Sequence, residues 1–466
     1  MFNKKLIVIC LSVLGGFSFA YSTTTTPPTK TVDKVVIKKT DKVATQHIQK
    51  HVDTKKIAKP LEKRDVNKLP LNKYGAIDIN ANVPIAVQVP VNNHPGKLAK
   101  ITPLTTTWKN FVPAQPRLNA KSYILMAANT GQIILAHNAN KRIMPASLTK
   151  LMLLYIVSGQ LESGSLHLND EVTVPVEAWA TGGSRMFLKS HSKVTLKNLI
   201  SGMIVDSGND AAVATATYIA GTQNAFVSIM NYKAHRLGMN NTHFSDVMGL
   251  PAPNHYSSAR DLAVLSSALV SDYPQYIPWY SQKWFVYSGI TQANYNKLIF
   301  MYKYAKGLKT GSTSQSGYSL AAFAEQPDNS LQLISIVIGA RSRVTSATDS
   351  KSLLSYGFRF FQSKLLYRKD VSVKSIRVYF GKDKTIQVAP IKDVYAVYPK
   401  SMQAKMTAKL IVNKNIHSPV QKGQVVGKIV VKLNDKVINT VPVQSCVNNA
   451  KGNWWRRFVD RIVIIF

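Results

Sequence analysis

The chain has 466 residues, 45% of them hydrophobic, enough for two or three domains with buried cores. Its 59 Lys and Arg against 23 Asp and Glu give a net charge of +36, which attracts polyanions: nucleic acid, anionic lipid or an acidic cell-wall polymer. There is no zinc-finger spacing, P-loop or basic helix with repeated stacking aromatics, so nucleic acid ranks last and is not expected as a partner.

Lys4 and Lys5 precede an apolar run from Leu6 to Phe17, and Ser18-Phe19-Ala20 supplies small residues at cleavage-site spacing. Residues 1–20 therefore read as a bacterial secretory signal peptide. The run is short for a bilayer span, and an uncleaved membrane anchor is the alternative. Cys10 lies inside it, which leaves Cys446 with no internal disulfide partner, a small apolar residue at a domain edge. Residues 21–107 are rich in Thr, Lys, Pro and Val, with Thr23-Thr24-Thr25-Thr26-Pro27-Pro28 at the front. Such a composition buries too little apolar surface to offset chain entropy, so the stretch reads as a disordered tether. It acts as a solvated spacer or touches acidic polymers weakly.

Composition changes at Trp108, where a folded domain is expected to run to 367. Ser122 to Ala128 and Gln132 to His137 read as strands joined by the Asn129-Thr130-Gly131 turn, a hairpin by turn chemistry. Pro145-Ala146-Ser147-Leu148-Thr149-Lys150 then opens an apolar run through Val157, the pattern of a central buried helix. Helices follow to about Val270, including Leu196 to Val205 and Asp210 to Ala220, with a loop at Asp206-Ser207-Gly208-Asn209. Lys309-Thr310-Gly311-Ser312 reads as the start of a strand. Strands from Ser316 to Ala324 and Leu331 to Gly339 precede a helix from about Ser346 to Phe361. The order predicts an α+β domain, an antiparallel sheet with helices packed on it. Residues 368–447 alternate short β runs with turns such as Gly381-Lys382-Asp383 and Asn434-Asp435-Lys436, a small all-β domain. Residues 448–466 form a polar linker and a short helix.

Three motifs carry chemistry. Ser147 sits at a helix N-terminus, where free N–H groups and the dipole favour an oxyanion, and Lys150 follows three residues later on the same face. A hydroxyl is a weak nucleophile without an adjacent base, and a lysine serves once burial or a second cation lowers its pKa. Ser-x-x-Lys alone is common, and Ser190 to Lys193 repeats it, so the other motifs decide. Ser207 would pass a proton to a leaving amine, and Asn209 would hydrogen-bond Lys150 and a substrate amide. Lys309 is the second cation and would orient Ser207. Thr310 would bind a terminal carboxylate, and Gly311 would let a peptide approach the strand edge. The backbone N–H groups of Ser147 and Ser312 would form an oxyanion hole. The ten histidines show no metal-ligand spacing, so neither metal nor cofactor is expected.

The three motifs resemble the Ser-x-x-Lys, Ser-x-Asn and Lys-Thr-Gly set of penicillin-binding proteins and serine β-lactamases. The text around them resembles low-molecular-mass D-alanyl-D-alanine carboxypeptidases: Ser122-Tyr-Ile-Leu, Met186-Phe-Leu-Lys, Asn241-Thr-His-Phe, Tyr256-Ser-Ser-Ala-Arg-Asp and Tyr356-Gly-Phe-Arg-Phe-Phe, from Trp108 to Phe466. The resemblance implies a transpeptidase-like fold, peptidoglycan pentapeptides as substrate, β-lactams as inhibitors, and a carboxylate-binding role for Arg341. It departs from the family at the tether before Trp108 and at Ser312, where close relatives often carry histidine. A D,D-endopeptidase, a β-lactamase and an idle peptidoglycan-tethering protein are the alternatives. At the C-terminus, Arg456, Arg457, Asp460 and Arg461 share one stripe of a helix, and tryptophans and aliphatics take the other. Such a helix lies in the headgroup layer of an anionic membrane, here the outer leaflet of the inner membrane, or packs its apolar face on the β domain.

Overall fold

The computed structural model describes Trp108 and residues 111–327, 331–402 and 406–465. The expected signal peptide and tether, 1–107, lie outside the described residues. The elements of the first domain begin with β1 (Ser122–Ala127), β2 (Gln132–His137), α1 (Lys150–Glu162), β3 (Glu171–Thr173), α2 (Val176–Trp179) and β4 (Lys193–Thr195). Helices α3 (Leu196–Val205), α4 (Asn209–Ala220), α5 (Gln223–Arg236) and α6 (Ala259–Asp272) follow. Then come β5 (Trp284–Tyr287), β6 (Ile290–Ala293), α7 (Leu298–Met301), β7 (Ala305–Thr313), β8 (Gly317–Glu325), β9 (Gln332–Ala340) and α8 (Arg343–Phe360).

The main sheet has the order β2-β1-β9-β8-β7, every pairing antiparallel. Its two faces serve two cores, and the alternation of side chains along a strand sorts them. On β1, Ile124 and Met126 join the core built with α1 and α3 to α6, while Tyr123, Leu125 and Ala127 join the one built with α8. On β9, Ile334 and Ile336 go to the first and Leu333 and Val337 to the second. A strand covered on both faces has no polar side to show, which is why β1 reads as a continuous apolar run. Helix α1 is buried without a break from Lys150 to Ser158, so it runs through the first core rather than over it.

Two elements start earlier than the sequence indicates. β7 begins at Ala305, which puts Lys309 to Ser312 in its second half rather than at its start. α8 begins at Arg343, behind an N-cap in which Ser342 Oγ accepts from Thr345 N–H at 3.0 Å.

The β domain contributes β10 (Phe361–Tyr367), β11 (Lys374–Arg377), β12 (Thr385–Pro390) and β13 (Val394–Pro399). It continues with β14 (Met406–Val412), β15 (Val425–Leu433) and β16 (Lys436–Ser445). One sheet runs β11-β12-β16-β15-β14, and β10 pairs with β13 beside it. Asn434 and Asp435 both take positive φ (45° and 66°) in the β15–β16 turn, the conformation a tight hairpin demands of its two central residues.

The closing helix, α9 (Trp454–Ile465), docks by its polar stripe. Asp460 is 0% exposed; its Oδ2 accepts from Phe380 N–H at 2.7 Å, and Arg377 and Arg456 place guanidinium nitrogens 3.6 Å from its Oδ1. The apolar stripe faces outward: Trp454 is 71% exposed, Trp455 58% and Phe458 51%. The expectation of two opposed stripes holds, but part of the polar one is the buried side. A charged hydrogen bond of this kind contributes about 1.5–3 kcal/mol. Asp460→Ala should therefore speed amide exchange across α9 while leaving the exchange of α1 unchanged, as hydrogen-exchange mass spectrometry would read.

Candidate active site

Ser147 lies in a 3-10 turn, Ala146–Thr149, that runs directly into α1. Ala146 is held at φ 50°, a left-handed conformation that an L-residue rarely adopts and that only surrounding structure can maintain. Two glycines let that structure close in. A Cβ on Gly249, whose φ is +94°, would sit 1.8 Å from Ala146 O; one on Gly311 would sit 3.0 Å from Pro145 O and 3.2 Å from Leu148 N. Gly311 thus admits the Ser147 turn to β7, a tighter demand than the peptide approach expected of it.

Lys150 is 0% exposed. Its Nζ lies 3.0 Å from Ser147 Oγ, 2.8 Å from Asn209 Oδ1 and 3.2 Å from the Met248 carbonyl oxygen. Burial lowers its pKa to about 7, against the opposing pull of Asp246 and Asp210. Asn209 Oδ1 and Met248 O can only accept. A neutral amine with two N–H groups spends both on them, and its lone pair then faces the one neighbour that can donate, the Ser147 hydroxyl.

Asn209 opens α4, and its Nδ2 donates to Gly182 O at 2.7 Å. The amide thus ties Lys150 to the 182–188 loop, where the sequence reading had it facing a substrate amide. Asp210 fastens the same loop by accepting from Met186 N–H and Leu188 N–H, each at 3.1 Å. Ser207 sits between α3 and α4 at φ 59°, with its Oγ buried and unbonded.

Lys309 is buried, and its Nζ donates to Thr310 O at 3.1 Å. Burial first, then repulsion from Lys150 and Arg343, hold its pKa well below the lysine range, with Asp206 pulling the other way. The sequence reading made Lys309 the second cation that depresses Lys150; burial is the largest cause for both lysines, and their mutual repulsion further opposes a charge on each. Thr310 is half-buried and Ser312 exposed on the same strand, and Arg341 is exposed just beyond β9. The second Ser-x-x-Lys is elsewhere: Lys193 is exposed and pairs with Glu171 at 3.0 Å.

Four residues here were not singled out in the sequence. Met248 acts through its backbone, which no residue pattern reveals. Asp246 lies beside it. Asp206 is buried with both oxygens unbonded, and burial together with Asp210 pushes its pKa up to about 7 against the pull of Lys309. Arg343 stacks its guanidinium 4.2 Å over the Tyr295 ring and repels Lys309 electrostatically. The aspartate in the Ser207 motif was in view as text, but its burial was not. Among the described residues no group of three or more His, Cys, Asp or Glu is placed to hold a metal ion.

A buried lysine facing a serine at a helix entry, on an antiparallel sheet with helices on both faces, defines a serine acyl-transfer enzyme of the penicillin-binding type. The family model for D-alanyl-D-alanine carboxypeptidase matches residues 109–342, and that for the penicillin-binding protein 5 C-terminal domain matches 361–448. D-alanyl-D-alanine carboxypeptidase DacA of Escherichia coli K12 is 38% identical over 366 residues, 77% of this chain and 90% of the relative. DacC of the same strain is 36% identical, covering 75% of this chain and 89% of the relative. The crystal structure of penicillin binding protein 5 from Haemophilus influenzae superposes with a TM-score of 0.65 at 36% identity, over 73% of this chain and 100% of the other. That of penicillin binding protein 6B from Escherichia coli gives 0.58 at 36% identity, over 73% and 99%. The chain belongs to the D-alanyl-D-alanine carboxypeptidase family.

The contact of Gly249 with Ala146 makes a test of the turn. Gly249→Ala puts a side chain at positive φ into a backbone oxygen, and a loss on the order of 1–3 kcal/mol is expected. Thermal denaturation should show a lower melting temperature than for Gly238→Ala, whose positive-φ position has nothing within 4 Å.

Proposed function

We propose that the chain is a serine-type D-alanyl-D-alanine carboxypeptidase that removes the terminal D-Ala from peptidoglycan pentapeptides. The observation that carries the reading is the buried Lys150 Nζ, within hydrogen-bond reach of the acceptors Asn209 Oδ1 and Met248 O and of Ser147 Oγ.

Lys150 takes the Ser147 proton as Oγ attacks the carbonyl of the penultimate D-Ala. The Ser147 and Ser312 N–H groups receive the oxyanion. The C–N bond breaks with a proton passed to the leaving amine. Ser207 suits that step because its hydroxyl is buried with no bond of its own. Water then attacks the ester, Lys150 takes its proton, and Ser147 is regenerated. The terminal carboxylate goes to Thr310, Lys309 and Arg341. An arriving carboxylate sets a negative charge beside Lys309 and so restores the proton that burial and repulsion depress. A β-lactam has the same reactive amide and would leave a penicilloyl ester on Ser147.

We also place the enzyme outside the cytoplasm, on the strength of the 1–20 segment, with α9 lying on the outer leaflet of the inner membrane. No described helix is long and apolar enough to cross a membrane. An exposed Trp454, Trp455, Phe458, Ile462 stripe with Arg457 and Arg461 beside it suits an anionic headgroup layer.

Intact-protein mass spectrometry after benzylpenicillin should show one added penicilloyl group, absent in Ser147→Ala. Release of D-Ala from a pentapeptide should vanish with it. Lys150→Ala should acylate on the order of a hundredfold more slowly or worse. For the wild type the acylation rate should rise as pH passes upward through about 7, because Lys150 must lose its proton to act. Truncation before Asn453 should release the protein from anionic vesicles without loss of D-Ala release; vesicle sedimentation checks this.

A further inference from the structure

The mechanism needs the Met248 carbonyl, and Met248 lies on a loop between α5 and α6 with no regular structure to fix it. What fixes it is a chain of polar contacts, part-buried at Asp246 and fully buried at His255 and Thr149. Asp246 Oδ1 accepts from Met248 N–H and Gly249 N–H, both at 2.6 Å, and Oδ2 accepts from Leu250 N–H at 3.1 Å. Asp246 Oδ2 also lies 3.4 Å from His255 Nδ1, whose N–H donates to the carboxylate in the tautomer that leaves Nε2 free to accept. On its other side His255 Nε2 shares a 2.8 Å hydrogen bond with Thr149 Oγ1. Thr149 is the residue before Lys150 and the last of the Ser147 turn. His255 and Thr149 are both buried, and the Phe244 ring packs edge-on against the imidazole, so the contact between them has no competing water.

We infer that Asp246, His255 and Thr149 are positioning residues, a strut that holds the Met248 carbonyl against Lys150 and so aims the amine at Ser147. The inference rests on the reading of Lys150 as the base. The strut closes a ring: Lys150 to Met248 O, Met248 N–H to Asp246, Asp246 to His255, His255 to Thr149, and back to Lys150 through the peptide bond. Removing any member lets the loop and the turn shift independently. The amine would then lose its second acceptor and the orientation of its lone pair. A misplacement of about 1 Å at a reacting group costs up to about a hundredfold in rate.

Two effects of Asp246 separate positioning from bulk. Its charge raises the Lys150 pKa, as does Asp210 from α4, while Lys309 from β7 faces the same amine as a like charge. Asp246→Asn retains the size and one accepting oxygen but removes the charge. Its acylation plateau should fall, and its acid limb should move to lower pH. His255→Gln and Thr149→Val remove links without removing a carboxylate, so they should lower the plateau and leave the limb where it is.

The test is stopped-flow acylation of the full-length protein by benzylpenicillin across pH, with a thermal melt of each variant. The expected result is a plateau about tenfold to a hundredfold lower in all three, a limb displaced only in Asp246→Asn, and melts that stay cooperative. His255→Gln, which can still reach Thr149, should retain more rate than His255→Ala. Folded variants with the wild-type plateau and limb would overturn the strut. So would losses of rate seen only where the melt has collapsed. A wild-type protein that takes up no penicilloyl group would instead remove the reading of Ser147 and Lys150, and the strut with it.

Discussion

A lysine amine enclosed with no exposed surface is the constraint on which the site depends. In water the amine is charged, holds three protons and has no lone pair to offer. Enclosure in an apolar helix removes the solvation that stabilises the charge, and the proton becomes easy to lose. The same enclosure fixes which atoms surround the amine. Asn209 comes from α4, Met248 from the α5–α6 loop and Ser147 from the preceding turn. The acid–base character and the direction of the lone pair thus have one cause, the depth of α1 in the first core.

That depth needs backbones to meet closely, and glycine permits it where it matters. Gly249 and Gly311 press on the Ser147 turn from opposite chain segments, and Ala146 at positive φ is clamped between. The strain at Ala146 is local, and it sits beside the nucleophile. Ser207, also left-handed, carries a buried hydroxyl with no partner. An unbonded polar atom in such a place costs free energy and is tolerated where something else will occupy it.

Much of this was legible in the residues. The serine and lysine are three apart, so helix geometry alone brings them to one face, and the all-apolar run after Lys150 announces its burial. The Lys309 motif was legible as text but not as position, because Ala305 to Leu308 mixes charge, glycine and apolar residues and does not alternate. The Met248 carbonyl and the His255–Thr149 bond were out of reach. Their partners stand 98 and 106 residues apart, and one of them is a backbone atom that every residue possesses. Sequence periodicity reports on neighbours a turn away; it is silent on contacts made by tertiary folding. The β domain followed from alternation and turn chemistry, and the β15–β16 hairpin could be read at Asn434-Asp435.

The terminal helix shows where stripe reading stops. Opposed polar and apolar stripes are visible in the residues, but a stripe does not say which side the protein takes. The usual globular outcome buries the apolar one. Here a single carboxylate reverses it: Asp460 meets the Phe380 N–H and the Arg377 guanidinium at the edge of the β domain, with Arg456 one turn back on α9 beside it. An exposed aromatic stripe on a helix so pinned is costly in water alone, which makes its presence an argument for a non-aqueous surface opposite it. The same pin fixes the angle at which α9 leaves the β domain, so a lipid surface that takes the helix would also set the orientation of that domain.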